Sequence, residues 1–329
     1  MAEPPHRFRP QSSRPDAAPV VTGTEGVAPA PSVVSIGFFD GVHLGHRAII
    51  ERAVRAAADL GVRSVVVTFD RHPMEVVRPG SQPRLLMTLA RRVATLAAVG
   101  VDLVVVLPFD DELRHLSPEG FVDRVLRSLG ARRVVVGANF RFGHKATGDV
   151  ATLQALGAVR GFEAEGVRLS ELDGVAISST EIRAAVEAGD VRRAARLLGR
   201  PYLVEGVVVR GDRRGETMGF PTANLQVSRR VAVPARGIYA GLFHTQDARA
   251  HRCVTSVGVN PTFGGQDLRV ESFLLDFRGD LYGASAGVDF RHRIRDERRF
   301  AGAEELVTWI RGDVERARAL LAADERGPG

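Results

Sequence analysis

Fifteen residues constrain this chain more than any others: Val33-Val34-Ser35-Ile36-Gly37-Phe38-Phe39-Asp40-Gly41-Val42-His43-Leu44-Gly45-His46-Arg47. The β-branched run that reaches Gly37 reads as a short buried strand. Gly41 allows a tight turn, and Gly45 lets the backbone approach whatever sits between two imidazoles. Beyond it Ile49, Ile50, Ala53, Val54, Ala57 and Leu60 recur at helical spacing, so a helix is expected over 47–60, stopped by Gly61. A strand, a glycine turn and a helix N-terminus gather N–H groups and the positive end of a helix dipole at one spot, which makes an anion site. His43 and His46 stand there. Taken alone, such a pair is equally two helix-start histidines with no ligand. Zinc would need three or four ligands, and no Cys/His cluster accompanies the pair.

From Val33 to about Ala188 strand-like and helix-like stretches alternate, the pattern of a parallel sheet covered on both faces. Strands are expected over 64–69, 102–107 and 133–136. Helices are expected over 89–99, capped by Thr88 and stopped by Gly100, and over 118–129, with Ser117 as N-cap and Pro118 in the first turn. Residues 137–148, Gly-Ala-Asn-Phe-Arg-Phe-Gly-His-Lys-Ala-Thr-Gly, form a long loop at the carboxyl end of a strand, where open parallel sheets bind ligands. Asn139, Arg141 and Lys145 sit in it. Further on, Ser178 and Glu181 have capping-box spacing at a helix start, with Ser179 and Thr180 between them and Arg183 one turn in.

A short helix over 191–198 ends at Gly199, and Pro201 marks a domain boundary. After it the texture changes to β-rich runs over 203–209, 237–245, 252–257, 270–277 and 287–294, separated by glycine turns, as in an antiparallel barrel. Leu306, Ile310, Val314, Ala317 and Leu321 place a final helix over 303–322 against that barrel. The division is therefore a disordered tail over 1–32, an α/β domain over 33–188, a linker helix over 189–201 and a barrel domain over 202–329.

A length of 329 residues and 44% apolar content support two cores. Cys253 is the single cysteine, so no intramolecular disulfide forms and a reducing compartment, the cytoplasm, is expected. The first 32 residues hold no apolar signal segment, and no run approaches the length of a membrane span. The net charge of +6 comes almost wholly from arginine, Lys145 being the only lysine. That balance suits phosphate-bearing ligands, and no RNA-binding or zinc-finger signature directs it to nucleic acid.

Gly37 to His46 resembles the His-x-Gly-His nucleotidyltransferase motif of the bacterial FAD synthetases, the bifunctional riboflavin kinase/FMN adenylyltransferases. The loop around Asn139-Phe140-Arg141-Phe142-Gly143 is similar to the segment that lines the FMN and ATP sites of that family. Ile177-Ser178-Ser179-Thr180-Glu181-Ile182-Arg183 is similar to its Ile-Ser-Ser-Thr-x-Ile-Arg motif. The second half resembles riboflavin kinase in Gly219-Phe220-Pro221-Thr222-Ala223-Asn224, Gly237-Ile238-Tyr239, residues 256–262, Val270-Glu271-Ser272-Phe273 and Asp280-Leu281-Tyr282-Gly283. The resemblance covers residues 33 to about 322. It implies an α/β nucleotidyltransferase domain, Rossmann-like with a parallel sheet, followed by an antiparallel β-barrel riboflavin kinase domain with a C-terminal helix.

It also implies the chemistry: riboflavin is phosphorylated by ATP to FMN, which ATP then adenylylates to FAD with release of pyrophosphate, Mg2+ serving both steps. Phosphorylating a ribityl hydroxyl needs a base, and Glu271 is expected to be it, a salt bridge to arginine being the alternative for that carboxylate. Thr222 and Asn224 offer the hard oxygens that magnesium prefers. For adenylyl transfer the FMN phosphate is already nucleophilic, so His43, His46 and Arg183 are assigned to charge stabilisation. Gly37, Phe39, Asp40, Gly45, Asn139, Arg141, Lys145, Ser178, Ser179 and Thr180 are expected to bind its substrates, and Gly219, Phe220, Pro221, Thr222 and Asn224 those of the kinase.

Two positions depart from the family pattern. Glu216 stands where riboflavin kinases usually carry arginine, a reversal worth about 1–4 kcal/mol near phosphates unless Arg213 or Arg214 compensates. Phe273 replaces the histidine many relatives have. The alternatives are therefore a single-activity FMN adenylyltransferase with a weakened kinase domain, or a flavin- or nucleotide-binding regulator without turnover. The expected partners are small molecules, with neither nucleic acid nor membrane; a homo-oligomer is left open.

Overall fold

The computed structural model describes residues 18–168, 170–211, 219–262, 265–298 and 300–326. They form two compact units, one holding 18–83 and 88–179, the other 84–87 and the chain from 180 onward. The expected parallel sheet and closed barrel are both present.

In the first unit the elements run β1 (Val20–Thr22), β2 (Ser32–Ile36), α1 (Leu44–Leu60), β3 (Arg63–Phe69), α2 (Pro73–Val77), α3 (Leu89–Ala97), β4 (Leu103–Leu107), α4 (Asp111–Arg114), α5 (Pro118–Phe121), β5 (Ala131–Gly137), α6 (Val150–Arg160) and β6 (Glu163–Val167). The sheet order is β1-β4-β3-β2-β5-β6, with every pairing parallel. Strand alternation splits the core into two layers. Val33 and Val135 meet Ile49, Ala53, Ala56 and Ala57 of α1 on one face. Val34, Ile36, Val65, Val67, Val105, Val134 and Val136 meet Val122, Leu126, Leu129, Leu153 and Phe162 on the other. Each such aliphatic side chain contributes about 1.5–3 kcal/mol when fully buried. A two-stranded ribbon, β7 (Glu171–Leu172) and β8 (Val175–Ala176), follows.

Several boundaries differ from expectation. The segment read as a disordered tail supplies β1, which pairs with β4 through Val20–Val104, Val21–Val105 and Thr22–Val106. Three residues are too few to show a period. Helix α1 starts at Leu44, three residues early, because His43 acts as its N-cap. Thr88 and Ser117 cap as expected. Helix α3 stops at Ala97, and after α5 the chain continues as a π-helical turn, Val122–Leu126, so the helix expected to 129 is not one regular α-helix.

The second unit takes in most of α7 (Ser179–Glu187), then α8 (Val191–Leu198), β9 (Tyr202–Val209), β10 (Thr222–Val227), β11 (Gly237–His244), β12 (Ala250–Thr262), β13 (Gly265–Leu274), β14 (Ser285–Arg295) and α9 (Ala303–Arg326). The barrel closes antiparallel in the order β10-β13-β12-β11-β14-β9. Ala317 and Leu321 of α9 are buried against Ala240, Val254 and Leu275, with Phe273, Ile294 and Val314 beside them. Segment 84–87 joins this unit by backbone bonds from the Leu85 N–H to the Arg230 carbonyl (2.7 Å) and from the Ala232 N–H to the Leu85 carbonyl (2.8 Å). Two expectations need correcting. Strand β10 is not among the expected β-rich runs, yet it runs for six residues. Strand β13 ends at Leu274, short of the expected 277, and the chain turns at Asp276 (φ +59°).

Candidate active sites

The carboxyl end of β2 opens into a strained turn. Phe39 (φ +55°) and Val42 (φ +40°) both occupy the left-handed region, at about 1–3 kcal/mol each, and Val42 is β-branched. His43 closes the turn by accepting the His46 N–H on Nδ1 at 3.2 Å. A neutral His43 therefore carries its proton on Nε2. The two imidazoles stack with centroids 3.5 Å apart and planes 20° apart, and Phe39 meets His46 edge-on at 5.2 Å. Gly45 is required by close approach: a Cβ there would stand 3.3 Å from the His43 ring and 3.4 Å from the Ile177 carbonyl oxygen. Burial, reinforced by His43, holds His46 well below the ordinary histidine value, and its Nδ1 is buried without a partner. The His46 ring is thus held neutral rather than as a fixed cation.

This depression has a consequence for stability. The folded protein resists protonating His46 while the unfolded chain takes the proton near pH 6.5, so stability is intact above that pH and falls as pH drops from 6.5 toward the lowered value. Melting temperatures measured between about pH 7.5 and 5 should show this acid loss in the wild type and a flatter profile in His46→Gln.

Asp40 is buried in the same turn, and the Ser179 hydroxyl donates to its carbonyl at 2.8 Å, tying the start of α7 to the turn. Gly37, Phe39, Asp40, His43, Gly45, His46 and Ser179 are therefore brought together. Ser178 is half-buried just before α7. Thr180 and Arg183 belong to the other unit. There Thr180 is exposed, the Arg183 Nε donates to the Arg84 carbonyl at 2.6 Å, and Glu181 pairs with Arg193 at 2.7 Å.

The loop after β5 is pinned at three points. Phe142 and Gly148 exchange backbone bonds (3.1 and 2.9 Å), Phe142 stacks on Phe140 with centroids 5.5 Å apart, and the His144 N–H reaches the Leu116 carbonyl at 2.7 Å. Asn139, Arg141 and Lys145 are exposed between these points, Arg141 lying 3.6 Å from Asp149. Lys145 and Ala146 have φ of +53° and +55°.

On the barrel, Thr222 pairs in register with Phe273, and Asn224 with Glu271. Two-residue alternation puts all four side chains on one face of adjacent strands. Phe220 meets Phe273 edge-on at 5.3 Å. Glu271 is partly exposed and forms the ion pair weighed for it, 3.2 Å from Arg269 Nη1. Gly211 is the second glycine whose bareness matters, because a Cβ there would come within 2.3 Å of the Asn224 amide. A cavity of about 330 Å³ lies beside them, lined by Pro221, Thr222 and Asn224 and, opposite, by Arg278, Asp280 and Tyr282. Gly219 (φ +83°) shapes the exposed turn that leads in. Arg213, Arg214 and Glu216 lie outside the described residues.

Sequence reading missed Arg92, Phe38 and His72. Arg92 follows Arg91 on a helix and reads as part of a solvated face, yet it is 1% exposed. Its signal was available only in the spacing of Leu89, Val93 and Leu96, which leaves position 92 on a flank of the apolar stripe.

A strained His-x-Gly-His turn at the carboxyl edge of a parallel sheet, together with a barrel wall that sets a carboxylate beside hard oxygen donors, defines a two-part nucleotide-using transferase. The comparisons make this specific. A family model for FAD synthetase matches residues 27–181, and one for riboflavin kinase matches residues 198–321. The bifunctional riboflavin kinase/FMN adenylyltransferase of Pseudomonas fluorescens is 44% identical over 292 residues, 88% of this chain and 93% of that one. That of Listeria monocytogenes is 37% identical over 292 residues, 88% of this chain and 92% of that one. A crystal structure described as a macrolide-efflux protein from Streptococcus pneumoniae superposes with a TM-score of 0.84 at 32% identity, covering 92% of this chain and 99% of that one. The chain belongs to the bifunctional riboflavin kinase/FMN adenylyltransferase family. Among its described residues no helix is long and apolar enough to cross a membrane.

Proposed function

We propose that the two steps of FAD synthesis, ATP-dependent phosphorylation of riboflavin and adenylylation of FMN, run at two separate sites of this chain, one on the barrel and one at the sheet edge. The observation that carries this reading is the register that sets Glu271 beside Asn224, in a different compact unit from the stacked His43 and His46.

At the barrel Glu271 accepts the proton of the ribityl hydroxyl as its oxygen attacks the γ-phosphorus of ATP and ADP leaves. Arg269 orients the carboxylate. The Thr222 hydroxyl and Asn224 carbonyl alternate on the same strand face and fit a magnesium ion, which takes one or two protein oxygens and completes its shell from phosphates and water. Such an ion would neutralise phosphate charge.

At the sheet edge an oxygen of the FMN phosphate attacks the α-phosphorus of ATP, and pyrophosphate departs. No base is needed. The two imidazoles donate hydrogen bonds to phosphate oxygens as charge builds, beside the N-terminus of α1. Asn139, Arg141 and Lys145 serve the substrates from the loop after β5. We place these reactions in the cytoplasm.

Incubating the pure protein with riboflavin, ATP and magnesium and separating flavins by chromatography tests the reading. FMN should appear first, then FAD with pyrophosphate. Conversion that stops at FMN, or FAD made only from supplied FMN, would remove one of the two activities.

A further inference from the structure

Among the described residues of the sheet unit, Arg92 is the least exposed charged side chain, at 1% exposure, and no carboxylate pairs with it directly. It reaches from α3 to the carboxyl ends of two central strands. Nη2 donates to the carbonyl of Phe69, the last residue of β3, and the plane of the guanidinium lies over the Phe38 ring with Cζ 4.0 Å from its centroid. Phe38 in turn meets His72 edge-on at 4.9 Å. Asp40 and Asp70 act on the cation only through space. Asp70 is committed elsewhere, one oxygen accepting from the Phe109 N–H and the other from Arg71.

Nε and Nη1 of Arg92 are buried and bond to none of the described residues. Between them they carry three N–H bonds on a rigid plane, and leaving such donors dry is costly. Burial already pulls this guanidinium down to about 10. Phe38, over which the guanidinium carbon lies, belongs to the segment between β2 and α1 that carries His43 and His46. Ligands of open parallel sheets bind at this edge. A delocalised guanidinium with unfilled N–H donors suits an anionic phosphate oxygen.

We propose that Arg92 is a substrate-binding residue of the adenylyl-transfer site, packed on Phe38 and donating one of its unfilled N–H bonds to a phosphate oxygen of FMN or ATP. The proposal rests on the reading of the sheet edge as the adenylyl-transfer site. It explains why a cation is buried there without a carboxylate: its counter-charge arrives with the substrate.

Steady-state FMN adenylylation by the full-length protein tests it, with riboflavin phosphorylation as the control for folding. Arg92→Met should raise the KM for FMN or for ATP about tenfold or more, the worth of one charged hydrogen bond, and whichever KM moves identifies the phosphate contacted. Arg92→Lys keeps charge but loses the fork, and should raise the same KM by a smaller factor. Phosphorylation of riboflavin should keep its wild-type KM and kcat in both variants. If both KM values for adenylylation stay at wild-type levels, with only kcat or the melting temperature lowered, buried water fills the fork and the proposal fails. Should Arg92→Met not fold, unchanged KM values in Arg92→Lys overturn it alone. A wild-type protein that makes no FAD from FMN would instead overturn the reading of the site itself, and the proposal with it.

Discussion

Replacing Glu271 with glutamine is expected to slow riboflavin phosphorylation by about 10²- to 10⁴-fold, the usual contribution of a positioned base, while FMN adenylylation continues at its wild-type rate. Glutamine keeps the shape of the side chain and can still accept the hydrogen bond from Arg269 that Glu271 receives at 3.2 Å, so the strand face should be undisturbed. The backbone pairing of Asn224 with residue 271 does not depend on the side chain. What is lost is the ability to take a proton. If Glu271 were only the partner of Arg269, the exchange would leave phosphorylation nearly intact, because a partly exposed ion pair is worth no more than about 1 kcal/mol. Comparing riboflavin and FMN as starting flavins in one assay separates these outcomes.

His46→Ala is expected to do the reverse, lowering FMN adenylylation by about 10²- to 10³-fold through loss of one donor to developing phosphate charge. The effect should be chemical rather than structural. His43 caps α1 by accepting the backbone N–H of residue 46, a bond that survives the substitution. Alanine does remove the stacked ring and the edge contact with Phe39, so some loosening of the turn is expected. Undiminished riboflavin phosphorylation by the same preparation would show that the protein remains folded.

The strength of the local signals decided which parts of this architecture could be read from the sequence. The β2–turn–α1 stretch was legible because a β-branched run, spaced glycines and a helical period agree with one another. The same agreement located Thr88, Ser117 and the ends of α8. His43 was seen as a ligand but not as a cap, since imidazole is outside the usual capping residues. β1 has only three residues, and β10 follows a proline and carries an asparagine, both turn signals, so its cross-strand partners were what made it a strand. The two site faces fared differently. Thr222, Asn224 and Glu271 were each picked out, but that β10 and β13 are neighbours in register is a tertiary fact with no local trace. Arg92 escaped for the same reason: its surroundings, Phe38 and Phe69, come from strands more than twenty residues away. Helix α7 shows a further limit, because an unbroken motif from Ile177 to Arg183 is divided between two compact units after Ser179.

Two separate sites, each sufficient for its own step, are the core of this account, and mixing the two disabled proteins tests that most directly. Equal amounts of Glu271→Gln and His46→Ala are given riboflavin, ATP and magnesium, and the flavins are followed by chromatography. The account predicts that neither variant alone makes appreciable FAD from riboflavin, whereas the mixture does, FMN released by one being adenylylated by the other. A mixture that makes no more FAD than the separate variants would contradict it.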